Sequence, residues 1–141
     1  VVVAGPEAKF GDTHVKMGIG AGDGGQLFWP FLIGVNRAKY YLMTGDIIGG
    51  KQALEMGLAG FFAEKTEDVL PKALEIADKL AAGPPLAIAA SKAGINAYLQ
   101  QVAAAVMPIS LQAEGLTMTS HDYKEAVSAF RDKRTPEFKG K

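Results

Sequence analysis

His14 and Asp23 stand nine residues apart in GDTHVKMGIGAGDGG, the stretch Gly11–Gly25, which carries six of the chain's 17 glycines. Imidazole is the side chain whose ordinary pKa falls nearest neutrality. A carboxylate on one ring nitrogen fixes the tautomer and raises the basicity of the other, which makes a general base. If the chain folds back through Gly18–Gly22, the two side chains converge and Asp23 orients His14. Two other readings of the same residues stay open. Gly20-Ala21-Gly22-Asp23-Gly24-Gly25 has the spacing of a dinucleotide-binding loop, with Asp46 about where a ribose-binding acid is expected. That loop must directly follow an apolar parallel strand, and HVKMGI is short and broken by Lys16. Alternatively, Asp23 with Gln26 forms a capping box at the start of a helix, and His14 is a hydrogen-bonded residue of a short turn.

The elements that would position these residues can be read from periodicity and punctuation. Val1–Ala4 reads as the end of a buried strand, followed by a Gly5-Pro6 turn, and Ala8–Asp12 as a second short strand. A helix runs from Gly24 to about Ile33, with Pro30 tolerated near its first turn or as a kink. Asn36 caps the next helix, to about Met43. Asp46–Gly49 is a turn or short strand, Lys51–Met56 a helix ended by Gly57, and Leu58–Glu64 a strand. Thr66 reads as the N-cap of the next helix, with Glu67 and Asp68 in its first turn. Its buried stripe is Leu70, Ala73, Leu74, Ala77 and Leu80, and Gly83-Pro84 ends it. Pro85 to about Leu99, Gln101 to about Met118 (interrupted by Pro108) and Asp122 to about Lys133 complete a helix-rich second half. The opening VVVAG reads as a strand entered in its middle, which implies an upstream segment.

Composition narrows the function classes. Fifteen basic residues offset fifteen acidic ones, so the 141-residue chain has a formal net charge of zero, and 48% of it is hydrophobic. No basic cluster interleaves with aromatics, which speaks against nucleic acid, and no apolar run approaches bilayer length. With no cysteine there is no disulfide, no thiolate nucleophile and no cysteine-type zinc site. The expectation is a cytoplasmic protein that handles a small molecule without a metal or a bound cofactor.

Four stretches follow one another in order: VVVAGPEAKFGD, then GIGAGDGGQLFWPFLIGVNRAKYYLMTGDIIGGKQALEMGLAGFFAE, then the helices over Ala73–Lys92, and last SHDYKEAVSAFRDKRTPEFKGK. Together they resemble the crotonase (enoyl-CoA hydratase/isomerase) superfamily. The resemblance covers essentially the whole chain. It implies an α/β fold, a spiral of ββα turns followed by an α-helical trimerisation region. On this basis residues 1–64 are the end of the spiral with part of the active site, and 65–141 the helical oligomerisation region. It also implies that the two oxyanion-hole N–H groups and the first catalytic carboxylate of a hydratase lie before residue 1. The partners implied are therefore the N-terminal half of the same enzyme and further copies in a homotrimer or dimer of trimers.

The resemblance also assigns roles. His14 stands where a hydratase of the superfamily has its second carboxylate, and Asp23, beside the Gly24-Gly25 pair, where a small residue is common. That pair resembles the branch typified by 6-oxocamphor hydrolase, in which histidine activates water and aspartate orients it for cleavage between two carbonyls. The implied substrate is an acyl-CoA thioester, coenzyme A being part of the substrate, and the implied chemistry is enolate stabilisation. The alternatives are a C–C bond hydrolase of a β-diketone and a non-catalytic superfamily member. Gly22, Trp29 and Phe31 are candidate substrate contacts, the aromatic pair reading equally as core. Lys124 and Arg134 are candidate partners for the coenzyme A phosphates, against a solvated basic tail. Glu114 reads either as a solvated helix residue or as one reaching a neighbouring site, and His121 as a helix-start residue.

Overall fold

The computed structural model describes all 141 residues. In chain order it has β1 (Val3–Ala4), β2 (Lys9–Phe10), a 3-10 turn at His14–Met17, α1 (Gly25–Ile33), α2 (Val35–Thr44), β3 (Ile48–Gly49) and α3 (Gly50–Met56). There follow β4 (Phe61–Phe62), a 3-10 turn at Thr66–Asp68, α4 (Val69–Ala81), α5 (Pro85–Met118) and α6 (His121–Arg131). The chain divides into two compact units, Val1–Phe10 with Ile48–Ala103 and Gly11–Ile47 with Ala104–Lys141. Each draws on residues before and after position 64.

In the first unit, β1 pairs parallel with β4, Val3 opposite Phe61, and β2 pairs antiparallel with β3, Phe10 opposite Ile48. Ala4, Ile48, Ala53, Leu58, Ala59 and Ala63 are buried around these short ladders. Gly57 ends α3 in the left-handed region (φ 95°), as expected of a glycine just past a helix. Two expectations fail here. Thr66 opens a 3-10 turn and makes no side-chain cap, so α4 begins at Val69. The apolar stripe of α4 is present but not buried: Leu70, Leu74 and Leu80 are 66%, 53% and 48% exposed.

The second unit holds α1, α2, α6 and the later part of α5. Neither Pro108 nor the Leu99–Gln101 junction interrupts α5, a single helix of 34 residues and about 50 Å at 1.5 Å per residue. Asn36 lies inside α2, whose N-cap is Gly34 at φ 80°, ψ 155°. The expected capping box is also absent. Gly24 precedes α1 with no side-chain cap, and Gln26 instead accepts a hydrogen bond from the buried Ser110 hydroxyl at 2.7 Å. Gly22 packs against the Ser110 carbonyl and Glu114, where no β-carbon fits. That close approach to α5, rather than a phosphate, accounts for a glycine here, and no apolar strand precedes the loop.

Candidate active site

Gly18, at φ 67°, closes the 3-10 turn that begins at His14, and the Ile19 N–H donates back to the His14 carbonyl at 3.0 Å. Asp12 governs the turn's entry. Its carboxylate accepts the His14 backbone N–H at 3.3 Å and faces His14 Nδ1 at 2.7 Å. A carboxylate only accepts, so Nδ1 carries the proton and Nε2 is left free. The other Asp12 oxygen lies against Gly25 at the start of α1, where any β-carbon would strike it. Asp23 comes from the other side: its Oδ2 is 3.7 Å from His14 Nε2. That gap exceeds a hydrogen bond, and both atoms can reach one water.

The sequence reading placed Asp23 as the orienting carboxylate, whereas the structure puts Asp12 on Nδ1 and Asp23 on the opposite nitrogen. Asp12 was missed. Its signal was an Asx turn, an aspartate accepting from the backbone two residues on. Side-chain exposures of 10% for Asp12, 32% for His14 and 59% for Asp23 set a graded path from interior to solvent. The His14 pKa is raised above the ordinary histidine value, chiefly by the hydrogen bond to Asp12. Partial burial opposes the shift, while the charges of Asp12, Asp23 and Glu114 add to it.

One ligand atom each from Asp12, His14 and Asp23 lie within 4.8 Å of one another. With Asp12 committed to Nδ1, only His14 Nε2 and Asp23 remain, fewer than the three protein ligands of a catalytic zinc. Asp12 and His14 line a cavity of about 370 Å³ whose walls also include Gly24, Phe28 and Trp29. Trp29 is held from behind by Tyr41, with ring centroids 6.0 Å apart.

Over its full length, residues 1–141, the chain matches the family described as enoyl-CoA hydratase/isomerase. It belongs to that family. Among curated relatives it is 35% identical to a crotonyl-CoA hydratase of Syntrophomonas wolfei, covering 96% of this chain and 52% of the relative. It is 33% identical to the 2,3-dehydroadipyl-CoA hydratase of Escherichia coli, covering 100% and 55%. Among solved structures, an enoyl-CoA hydratase/isomerase from Mycobacterium paratuberculosis superposes with a TM-score of 0.83 at 31% identity, over 91% of this chain and 50% of that one. A carnitinyl-CoA dehydratase from Mycobacterium avium 104 gives 0.89 at 28%, over 100% and 56%. The fold is thus the crotonase fold, and the chain spans about half the length of the curated relatives it matches.

The other expected substrate contacts can now be placed. Gly22 is buried, and its N–H donates to the Gly20 carbonyl at 2.9 Å. Phe31 is 38% exposed on α1 and is not among the residues lining the His14 cavity. Lys124 and Arg134 line a separate polar cleft of about 570 Å³ with His121, Glu125 and Lys139. Arg134 donates to both Glu125 oxygens, at 2.5 and 2.8 Å, which lowers the Glu125 pKa to about 2. Arg134 is therefore first a staple of the C-terminal tail. Lys124 has no carboxylate within ion-pair distance, and the cleft's lining includes the further cations Lys139 and Lys141. Glu114 belongs to the electrostatic surroundings of His14 in its own chain.

Proposed function

We propose that this protein is an enoyl-CoA hydratase or isomerase that works on an acyl-CoA thioester by stabilising an enolate, with His14 and Asp23 as its acid/base groups. The observation that carries this is the 3.7 Å approach of Asp23 Oδ2 to His14 Nε2, His14 itself lining a cavity. Two acid/base groups around a single water are what hydration of an enoyl thioester requires. His14 Nε2 takes a proton from that water as its oxygen bonds to C3. The C2–C3 π electrons move toward the thioester oxygen, giving an enolate, and C2 then takes a proton from the same pair. Backbone donors for the enolate oxygen come, on this reading, from segments other than these 141 residues, so the full-length polypeptide is the protein to test. Lys124, with Lys139 and Lys141 beside it, is the proposed contact for the coenzyme A phosphates, and Trp29 the proposed wall of the acyl site. We place the protein in the cytoplasm, in fatty acyl-CoA metabolism, as a homotrimer or dimer of trimers.

The test is crotonyl-CoA hydration followed by the loss of enoyl thioester absorbance. His14→Ala and Asp23→Ala should each lower turnover by roughly 10²–10⁴-fold while acyl-CoA still binds. Cleavage of a cyclic β-diketone without any coenzyme A dependence would replace this reading with the C–C hydrolase. Binding without turnover of either substrate would mark a non-catalytic member. The hydrolase reading drew on Asp23 as the orienter of His14, a place Asp12 occupies in the structure.

A further inference from the structure

We propose that Asp12 is the positioning residue of this site, fixing the tautomer of His14 so that Nε2 and Asp23 form the reacting pair. The inference deepens the reading of His14 and Asp23 as acid/base groups and rests on it for its activity arm only. Three observations carry it. Asp12 holds the residue at two points, the backbone N–H at 3.3 Å and Nδ1 at 2.7 Å, so it sets both the entry to the turn and the plane of the ring. It is itself immobilised: its side chain is 10% exposed, and its second oxygen is backed by the Gly25 α-carbon, with no room for a side chain there. Asp23 has neither property, being 59% exposed and beyond hydrogen-bond distance of the ring.

Two carboxylates on one imidazole do different work when they face different nitrogens. The one on Nδ1 accepts the fixed proton and stabilises the imidazolium that forms when Nε2 is protonated. The one near Nε2 shares the space where water or substrate must sit. The charged groups acting on His14 are Asp12, Asp23 and, from α5, Glu114. All three favour the protonated ring, so the midpoint of the His14 titration reads out which of them dominates. If Asp12 positions the ring, Asp12→Asn lowers that midpoint most, because an amide keeps the shape and loses the charge.

The experiment is nitrogen-resolved imidazole NMR of the full-length protein carrying 15N-labelled histidine, with the His14 signals assigned by their loss in His14→Gln. In the unsubstituted protein above the midpoint, Nδ1 should carry the proton and Nε2 should show the shift of an unprotonated nitrogen. Asp12→Asn should lower the midpoint, and Asp23→Asn should lower it by less without changing the tautomer. On crotonyl-CoA, Asp12→Asn should cut kcat at least tenfold with KM little changed and move the acid limb of the pH profile down with the NMR midpoint. An Nε2-protonated neutral ring in the unsubstituted protein would overturn the proposal, and that spectrum requires no variant to fold. So would a larger midpoint shift in Asp23→Asn than in Asp12→Asn. If crotonyl-CoA is not a substrate at all, the function reading falls, while the NMR arm still decides the role of Asp12.

Discussion

A histidine with acidic neighbours stores a pH dependence that belongs to single residues. Because Asp12, Asp23 and Glu114 favour the charged ring, the folded-state pKa of His14 lies above that of the unfolded chain, close to 6.5. A raised histidine pKa contributes stability that is fully present below the unfolded value and is lost as pH rises through the folded one. Urea midpoints measured from pH 5.5 to 8.5 should therefore show a fall beginning near the ordinary histidine range, and Asp12→Asn should flatten it. An unchanged slope in that variant would mean that another group titrates there. Residue chemistry was legible in the sequence only in part. The GDTHVKMGIGAGDGG spacing gave the meeting of His14 and Asp23. Which nitrogen each carboxylate faces depends on turn geometry two residues long, and the Asx turn at Asp12 carries no hydrophobic period to betray it.

At the scale of elements, ends were harder to read than existence. Each predicted helix has a counterpart over much of its length, because alternation of apolar and polar residues survives whatever surrounds it. Caps depend on one side chain's rotamer and on what competes for it. Asp23 and Gln26 have the spacing of a capping box, yet Gln26 is taken by Ser110 of α5 and Asp23 faces His14. Such long-range competition is invisible in a local pattern. Pro108 marked a break because its ring removes one backbone donor, but a 34-residue helix carries enough remaining hydrogen bonds to pass through it. The cap that does form is Ser120, whose hydroxyl accepts from the Tyr123 N–H at 3.0 Å at the start of α6. Ser120→Ala should cost about 1 kcal/mol, in the range of roughly 0.5–2 kcal/mol for lost caps, read as a lower denaturant midpoint with an unchanged slope. A loss well below that range would mean that water replaces the hydroxyl without penalty.

For the molecule as a whole, the conspicuous quantity is apolar surface. Large apolar side chains stand exposed on three helices: Leu70 and Leu74 on α4, Leu86 and Ile95 on α5, Phe130 on α6. Isolated exposed leucines are ordinary; several on one helix mark a contact surface. The apolar stripe of α4 was legible in the sequence, but within these residues Leu70, Leu74 and Leu80 stay 66%, 53% and 48% exposed. We propose that a second copy of the chain buries this face, in the homotrimer or dimer of trimers proposed above. Leu74→Asp places a charge in that stripe at a position 53% exposed within the chain. Its cost to the fold of the single chain should be small, since a charge at an exposed site stays hydrated, whereas burial in an interface would be prohibitive. Sedimentation or light scattering should therefore give a multiple of the chain mass for the unsubstituted protein and a smaller species for the variant, with helix content by circular dichroism retained. Equal masses for the two would show that α4 lies outside the assembly contacts, and a monomer in both cases would remove the trimer from the proposal.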